Sequence, residues 1–365
     1  MTLYAWGANC FGQLGLGHKS EQEISPQKVN LRGSDLSAED IVSISAGVAH
    51  SLILDTKGRV FSCGSNCSGR LGLLDDTFKF TQIEILEKFK IVQISCGSDF
   101  NAAVSECGKQ FVWGSNSSNQ LGISSNITST AIPTKLQVPR KLAAGLKNVS
   151  CGWGHSVIIS KEGCLLVSGD GTEGQLGLGE NSNDNNNIIM RKVPHIGNII
   201  SVATGHHHTL ALKDDGAVLS WGENQHGELG FDRDDLPRSY VPVETFFSEG
   251  LRSVCAGWQH SAALTVAGEI LTWGRSTSGQ LGAEREVMHE PEKVPTLSNV
   301  EQLSCGVAHN LALTRDNKLY SWGWNELGSC GTGDIKDVLF PVQILKKRKV
   351  RYCVASYGSS FAVIE

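Results

Sequence analysis

The sequence lacks any apolar run that is long enough to cross a membrane. No segment approaches the roughly eighteen uninterrupted apolar residues that a spanning helix requires. Residues 1–6 contain neither a basic region nor a long apolar region, so we expect no signal peptide. These absences argue against a membrane as a partner.

Positive charge is not in excess, with 32 lysine and arginine residues against 37 aspartate and glutamate residues. The formal net charge is -5 at pH 7, so no overall basic field attracts the chain to nucleic acid. The sequence contains no Gly-x-x-x-x-Gly-Lys-Ser/Thr loop and no residue pattern of a hydrolase or transferase site. We therefore expect no cofactor, no nucleotide bound by the chain itself and no direct contact with nucleic acid.

The eleven cysteines do not follow the spacing of a metal site. Cys63 and Cys67 are separated by three residues, and no second pair follows. Three other cysteines occupy one repeated position that further copies fill with alanine or threonine, namely Cys96, Cys151 and Cys305. A position shared by such residues is small and packed. We expect reduced, buried thiols, no bound metal, and a cytoplasmic or nuclear protein.

Glycine, in contrast, is abundant, with 41 residues, and it marks a repeat of about fifty residues. The first repeated signature reads Trp-Gly-x-Asn-x-x-Gly-Gln-Leu-Gly, with variations. It begins at Trp6, Cys63, Trp113, Ser168, Trp221, Trp273 and Trp322. The second signature reads Gly-x-x-His. It begins at Gly47, Gly97, Gly152, Gly205, Gly257, Gly306 and Gly358, with phenylalanine replacing the histidine in the second and seventh copies.

Each repeat is predicted to be β-structure. Two short apolar runs flank a polar turn at residues 55–58, which is typical of a hairpin, and similar turns return at residues 213–216 and 265–268. The final apolar run, residues 361–364, should be followed in space by residues 3–6. We therefore predict an all-β fold: a seven-bladed β-propeller over residues 1–365, one domain, closed by N- and C-terminal strands in the last blade.

The two alternating signatures cover almost the whole chain, and they resemble those of the regulator-of-chromosome-condensation family. Residues 320–331, Tyr-Ser-Trp-Gly-Trp-Asn-Glu-Leu-Gly-Ser-Cys-Gly, are most similar to the branch of secretion-regulating guanine nucleotide exchange factors. The resemblance implies a propeller that binds a protein partner, such as a small GTPase or exocyst-type secretory machinery.

Five histidines occupy the last position of the second signature. They are His50, His155, His208, His260 and His309, and Phe100 and Phe361 are expected to replace them in two blades. Because one occurs per blade, we interpret them as a structural ring of inter-blade hydrogen bonds. The run His206-His207-His208 suggests a metal, but neighbouring residues of a strand face opposite ways, so no metal site is expected there.

The position before the ring histidine varies. It reads Ala49, Asp99, Gly154, His207, Gln259, Ala308 and, by the same register, Ser360. In the Ran exchange factors of the family, an acidic residue and a histidine needed for exchange occupy this position two blades apart. The resemblance therefore implies that Asp99 and His207 bind the partner. A further acidic residue of those factors falls at Val48 here, and their wedge hairpin is not recognisable.

Further residues of the same turns are candidates for partner binding: Gln259, Trp153 and Trp258. The plant ultraviolet photoreceptor of this family groups tryptophans on neighbouring blades. Here Trp153 and Trp258 are two blades apart, with His206 between them, so we expect an incomplete aromatic cluster.

Three hypotheses of function follow. The first is an exchange factor or regulator for a small GTPase, Ran-like or secretory. The alternative is a non-catalytic adaptor, which resembles a yeast relative working with a small zinc protein of diphthamide synthesis and tRNA wobble-uridine modification. A chromatin reader is disfavoured by the negative charge. We expect a monomer without catalytic bond chemistry.

Three segments have simpler interpretations. Residues 169–174 form a Gly-x-Gly-x-x-Gly pattern, but they are one copy of the Trp-Gly turn. The basic residues 346–351 resemble a nuclear import signal, yet an exposed connection into the last inner strand explains them more simply. Residues 181–187, rich in asparagine, are predicted to be a surface loop and a possible partner-contacting insertion.

Overall fold

A computed structural model gives the structure of the protein, and it describes residues 1–137, 145–180, 190–245, 247 and 249–365. The asparagine-rich segment 181–187 lies outside the described residues. Seven four-stranded antiparallel sheets are present. Their strands follow one another along the chain as the repeat predicts, so the all-β propeller is confirmed.

The strands are numbered in chain order. They are β1 (Thr2–Ala8), β2 (Gln22–Lys28), β3 (Ile41–Ala46), β4 (His50–Asp55), β5 (Val60–Gly64), β6 (Thr77–Gln82), β7 (Ile91–Cys96), β8 (Phe100–Ser105), β9 (Gln110–Ser115), β10 (Ser129–Lys135), β11 (Leu146–Cys151), β12 (His155–Ser160), β13 (Leu165–Gly169), β14 (Arg191–Lys192), β15 (Ile199–Thr204), β16 (His208–Lys213), β17 (Val218–Glu223), β18 (Arg238–Thr245), β19 (Leu251–Ala256), β20 (His260–Thr265), β21 (Ile270–Arg275), β22 (Val287–Lys293), β23 (Val300–Cys305), β24 (His309–Thr314), β25 (Leu319–Gly323), β26 (Val338–Ile344), β27 (Val350–Ala355) and β28 (Ser359–Ile364).

Blades one to six each consist of four consecutive strands, beginning with β3–β6 and ending with β23–β26. The first strand of each blade lines the central channel, and the fourth lies at the periphery. Two short 3-10 helices, Cys67–Gly69 and Glu84–Leu86, lie in blade one and in the connection that follows it. In the described part of the chain, no helix is long and apolar enough to span a bilayer.

Blade seven closes the ring with both chain termini. Its strand order is β2-β1-β28-β27, so the C-terminus supplies the two inner strands and the N-terminus the two outer ones. The seam pairs Thr2 with Ile364 and Gly7 with Ser359. The predicted closure is confirmed, and the N-terminal share includes β2 as well as residues 2–6.

Apolar side chains pack between neighbouring blades. Leu14, from the Gly-Gln-Leu-Gly part of the first signature, is fully buried with Ile53 and Phe61 of the next blade. The indole Nε1 of Trp6 donates to the carbonyl of Ser329 in blade six at 2.9 Å. Each repeat is therefore held by its neighbours, and the buried apolar residues form separate clusters between adjacent blades around the ring.

Consecutive turns alternate between the two ends of the propeller, because the strands are antiparallel. The Gly-x-x-His turns, such as 47–50, and the loops between third and fourth strands, such as 65–76, lie at one end, which we call the turn face. The hairpins between second and third strands, such as 56–59, lie at the other end, the hairpin face. Gly58 has a φ of 79° in this hairpin, a conformation that favours glycine. The exposed residues 346–349 lead directly into β27, as predicted.

Candidate functional site

Seven equivalent turns surround the mouth of the channel on the turn face. In blade one the amide of Gly47 donates to the carbonyl of His50 at 2.9 Å, which closes the turn tightly. A Cβ atom at Gly47 would lie 2.3 Å from Cε1 of His50. The imidazole ring at the fourth position of the turn therefore requires glycine at the first position, and this explains the fixed Gly-x-x-His spacing.

Blade seven departs from the predicted register by two residues. There the amide of Ser356 donates to the carbonyl of Ser359 at 2.9 Å, so the turn is Ser356-Tyr357-Gly358-Ser359. Ser359, at the fourth position of this turn, has no aromatic ring, so Ser356 fits at the first position where the other turns carry glycine. The expected assignment of Gly358 to the motif glycine, Phe361 to the histidine position and Ser360 to the position before it was wrong.

The ring histidines are buried and reach from each blade to the next. His50 Nε2 lies 2.7 Å from Oδ1 of Asn101, and Asn101 donates in turn to the carbonyl of Arg70 at 2.7 Å. Burial lowers the pKa of His50 to about 3, so the ring stays neutral at physiological pH. The other bonds of this kind are His155–Thr209, His208–Ser261, His260–Asn310 and His309–Ser360.

The second residue of each turn points into the channel, and the aromatic residues at this position meet. The rings of Trp153 and Trp258 stack with centroids 5.3 Å apart, and His206 contacts both at 5.2 and 4.7 Å. Tyr357 lies 6.0 Å from Trp153. Trp153 and Trp258 touch although they are two blades apart, because seven blades converge on a narrow channel, and His206 occupies the position between them.

The aromatic cluster Trp153, His206, Trp258 and Tyr357 lines the mouth of a cavity of about 200 Å³ in the channel. Below it the cavity is lined by small residues at the ends of the inner strands, including Cys96, Cys151 and Cys305. Trp258 remains 38% exposed. An apolar, partly accessible surface thus occupies the centre of the turn face.

Asp99 and His207 flank the aromatic cluster from the position before the ring residue. Both are half-buried. Their turns are connected through Trp153: Ser98 Oγ donates to the carbonyl of Trp153 at 2.6 Å, and the Trp153 amide donates to the carbonyl of Gly205 at 3.3 Å. The predicted residues Asp99, His207, Gln259, Trp153 and Trp258 all lie on this one face.

The residue after each Trp-Gly pair lies opposite the position before the ring histidine. The amide of Glu223 donates to the carbonyl of His207 at 2.9 Å, and that of Asp170 to the carbonyl of Gly154 at 2.8 Å. In blade five, Arg275 Nη1 donates to Oε1 of Gln259 at 2.6 Å. These pairs extend the candidate site to residues that the sequence interpretation did not include.

The charged and larger polar residues at these two positions belong to blades two to five. We call this set the polar arc: Asp99, Asp170, His207, Glu223, Gln259 and Arg275. Equivalent positions in blades six, seven and one carry Ala308, Trp324, Gly358, Ala8, Ala49 and Ser65. At these two positions, the side of the channel mouth formed by blades two to five is therefore charged, and the opposite side is mostly apolar or small.

His206, His207 and Glu223 form the densest group in the polar arc and its channel border. The two imidazole centroids are 3.7 Å apart. His206 and His207 precede β16, so the alternation of side chains along a strand does not separate them as expected. Burial, and to a lesser extent the nearby His207, lowers the pKa of His206 to about 4. Burial raises the pKa of Glu223.

The family assignment follows from comparison with known proteins. The RCC1-like domain family matches residues 2–364. The secretion-regulating guanine nucleotide exchange factor of Mus musculus is 32% identical over 99% of this chain and 83% of its own length. The Ultraviolet-B receptor UVR8 of Arabidopsis thaliana is 34% identical over 85% of this chain and 72% of its own.

A solved structure agrees in fold. Prp20p of Saccharomyces cerevisiae, whose crystal structure was presented with its binding properties to Gsp1p and histones, superposes with a TM-score of 0.90 at 22% identity over 100% of this chain and 91% of that chain. The chain belongs to the RCC1-like domain family, and it is related to guanine nucleotide exchange factors. The resemblance inferred from the sequence signatures is confirmed.

Proposed function

We propose that this propeller is a guanine nucleotide exchange factor, or a regulator, of a small GTPase, and that it binds the GTPase through the polar arc. The observation that carries the proposal is the placement of Asp99 and His207 on equivalent turns two blades apart, bordering one aromatic centre. This is the arrangement that the Ran exchange factors of the family use. The mouse relative named above extends the candidates to GTPases of secretion.

The chemistry of exchange suits such a face. An exchange factor makes and breaks no covalent bond, but stabilises the nucleotide-free GTPase relative to the loaded form. A carboxylate such as Asp99 competes for a basic side chain that otherwise contacts phosphate. An imidazole such as His207 accepts or donates a hydrogen bond at the same interface. Both side chains belong to rigid turns, so little ordering accompanies binding.

The aromatic centre supplies the apolar part of the interface. Exposed tryptophan surrounded by polar groups is typical of residues that dominate protein binding. Trp258 contributes an exposed edge, and Gln259 with Arg275 forms its polar border. We propose that the partner covers this centre and that the protein works in the cytoplasm, with access to the nucleus.

The test is release of a fluorescent guanine nucleotide from purified GTPases, Ran first and then secretory GTPases. Asp99→Asn and His207→Asn remove charge or basicity with little change in size. Asp316→Asn and His195→Asn are matched controls, because both residues lie on the hairpin face. Accelerated release by the natural chain that is lost in the first two variants and kept in the controls supports the proposal. Equal release by all five proteins contradicts it.

A non-catalytic adaptor is the second candidate, and Val48 favours it. This residue stands where the Ran exchange factors carry a further acidic residue, and its side chain is 37% exposed. Asp99 thus lacks its acidic companion. If the chain is an adaptor for a small zinc protein, the two purified proteins should co-elute at micromolar concentration without nucleotide. Absence of a complex would exclude this role.

A further inference from the structure

A group of three potential metal ligands lies at the edge of the channel mouth. One donor atom each from His206, His207 and Glu223 can be chosen so that all three lie within 4.8 Å of one another. The backbone bond from Glu223 to His207 fixes β17 against the turn that carries both histidines. In the described part of the chain, no second group of three such residues is found.

The donor set selects the class of ion. Two imidazole nitrogens and one carboxylate oxygen suit Zn²⁺ and neighbouring divalent transition metals, whereas Ca²⁺ and Mg²⁺ prefer oxygen ligands. Tetrahedral zinc with bonds of about 2.0–2.1 Å requires donors about 3.3 Å apart. Closing the difference requires rotation of the three side chains, all of which are half-buried.

The surroundings also fit a bound cation. The Asp170 carboxylate acts electrostatically on His206 from the neighbouring blade. The Gln175 amide nitrogen lies 3.3 Å from Nδ1 of His207, so a second residue orients this ring.

We propose that His206, His207 and Glu223 bind one divalent transition-metal ion, Zn²⁺ by preference, with a coordination position open on the turn face. Such three-ligand sites leave room for water or for a donor from another molecule. The proposal does not depend on GTPase binding, and metal binding can be measured on the chain alone. A failed metal test therefore leaves the proposed exchange function untouched.

The structure supplies a built-in reporter. His206 contacts the rings of Trp153 and Trp258, so a paramagnetic ion at this site should quench their fluorescence. We would titrate the full chain with Co²⁺, following its visible absorption and the tryptophan emission. Zn²⁺ would then be titrated in competition with a chromogenic chelator.

Glu223→Gln is the main variant, because it preserves size while removing the anionic ligand, and His206→Ala is the second. His289→Ala is the matched control. His289 lies 3.6 Å from Asp232 on the surface, an imidazole–carboxylate pair with only two donors. Thermal melting of each variant establishes that it is folded.

The expected result is one Co²⁺ per chain, quenched tryptophan emission, and displacement by Zn²⁺. Glu223→Gln should weaken binding at least tenfold, and the control should bind like the natural chain. Absence of stoichiometric binding by the natural chain would overturn the proposal. So would undiminished binding by folded Glu223→Gln, which would place the ion elsewhere.

Discussion

Replacing Glu228 with glutamine should stabilise the protein, and the gain should depend on pH. Glu228 occupies the glutamine position of the Gly-Gln-Leu-Gly signature in blade four and is 1% exposed. Its Oε2 accepts a hydrogen bond from the His226 amide at 2.8 Å, while its Oε1 is buried without a hydrogen-bond partner. Gln175 occupies the same position in blade three. Both of its polar side-chain atoms have hydrogen-bond partners there, and Nε2 is directed at His207.

The magnitude follows from the pKa. Burial raises the pKa of Glu228 from 4.5 to about 7. Between these values the folded state binds more protons than the unfolded state, so the free energy of unfolding falls as pH rises, and the loss is complete above pH 7. Each pKa unit corresponds to 1.36 kcal/mol, so the loss is about 3 kcal/mol. Glutamine has no such loss.

The assay is urea unfolding of the natural chain and of Glu228→Gln between pH 4.5 and 8. The difference should be small at the acidic end and approach about 3 kcal/mol at pH 8. Comparing the two proteins at each pH cancels the titration of all other groups. Glu284→Gln, a change of an exposed glutamate, controls for the loss of one charge. A pH-independent difference, or a variant less stable at pH 8, would refute the reasoning.

Three further predictions concern the closure of the propeller and the buried His309. Deleting residues 1–6 removes most of β1, including buried Trp6, and should lower the free energy of unfolding by more than about 3 kcal/mol; a truncated chain that melts like the full one would contradict the closure. His309→Ala should cost roughly 1–3 kcal/mol, measured by urea unfolding, because its bond to Ser360 is lost. Burial lowers the pKa of His309 to about 3, so the folded state favours the neutral imidazole. The resulting contribution to the free energy of unfolding is present above pH 6.5 and is lost as pH falls towards 3. His309→Ala should reduce this loss in acid unfolding curves.

The fold could be predicted from the sequence because the glycine that begins each turn is required by steric contact. Glycine is required wherever a residue with an imidazole or phenyl ring follows three positions later, as at Gly47 and His50. The signature therefore occurs once for each turn of the propeller. The closing blade followed from continuing this register across the termini. The predicted register of the turn was wrong in blade seven. Ser359 has no aromatic ring at the fourth position, so glycine is not needed at the first.

The site could be predicted only in part. Asp99 and His207 were identified through the resemblance to the Ran exchange factors, whose acidic residue and histidine occupy the position before the ring histidine. The contact between Trp153 and Trp258 depends on the width of the channel, which no spacing along one blade reveals. Glu223 was missed because it belongs to the other signature, and only the pairing of β16 with β17 places it opposite His207. Reading the position after each Trp-Gly pair together with the position before each ring histidine would have found it.

The most direct measurement of partner binding through the polar arc is a double-mutant cycle on Asp99 and His207. We would measure the affinity for nucleotide-free Ran of the natural chain, of both single variants to asparagine and of the double variant, together with the free energy of unfolding of each in urea. Each single change should weaken binding by roughly 1–3 kcal/mol, with unfolding free energies unchanged within about 0.5 kcal/mol, and the two losses should not add if both residues touch one partner. Unchanged affinity in the double variant, with binding lost instead on Asp316→Asn, would place the partner on the hairpin face and contradict the proposal.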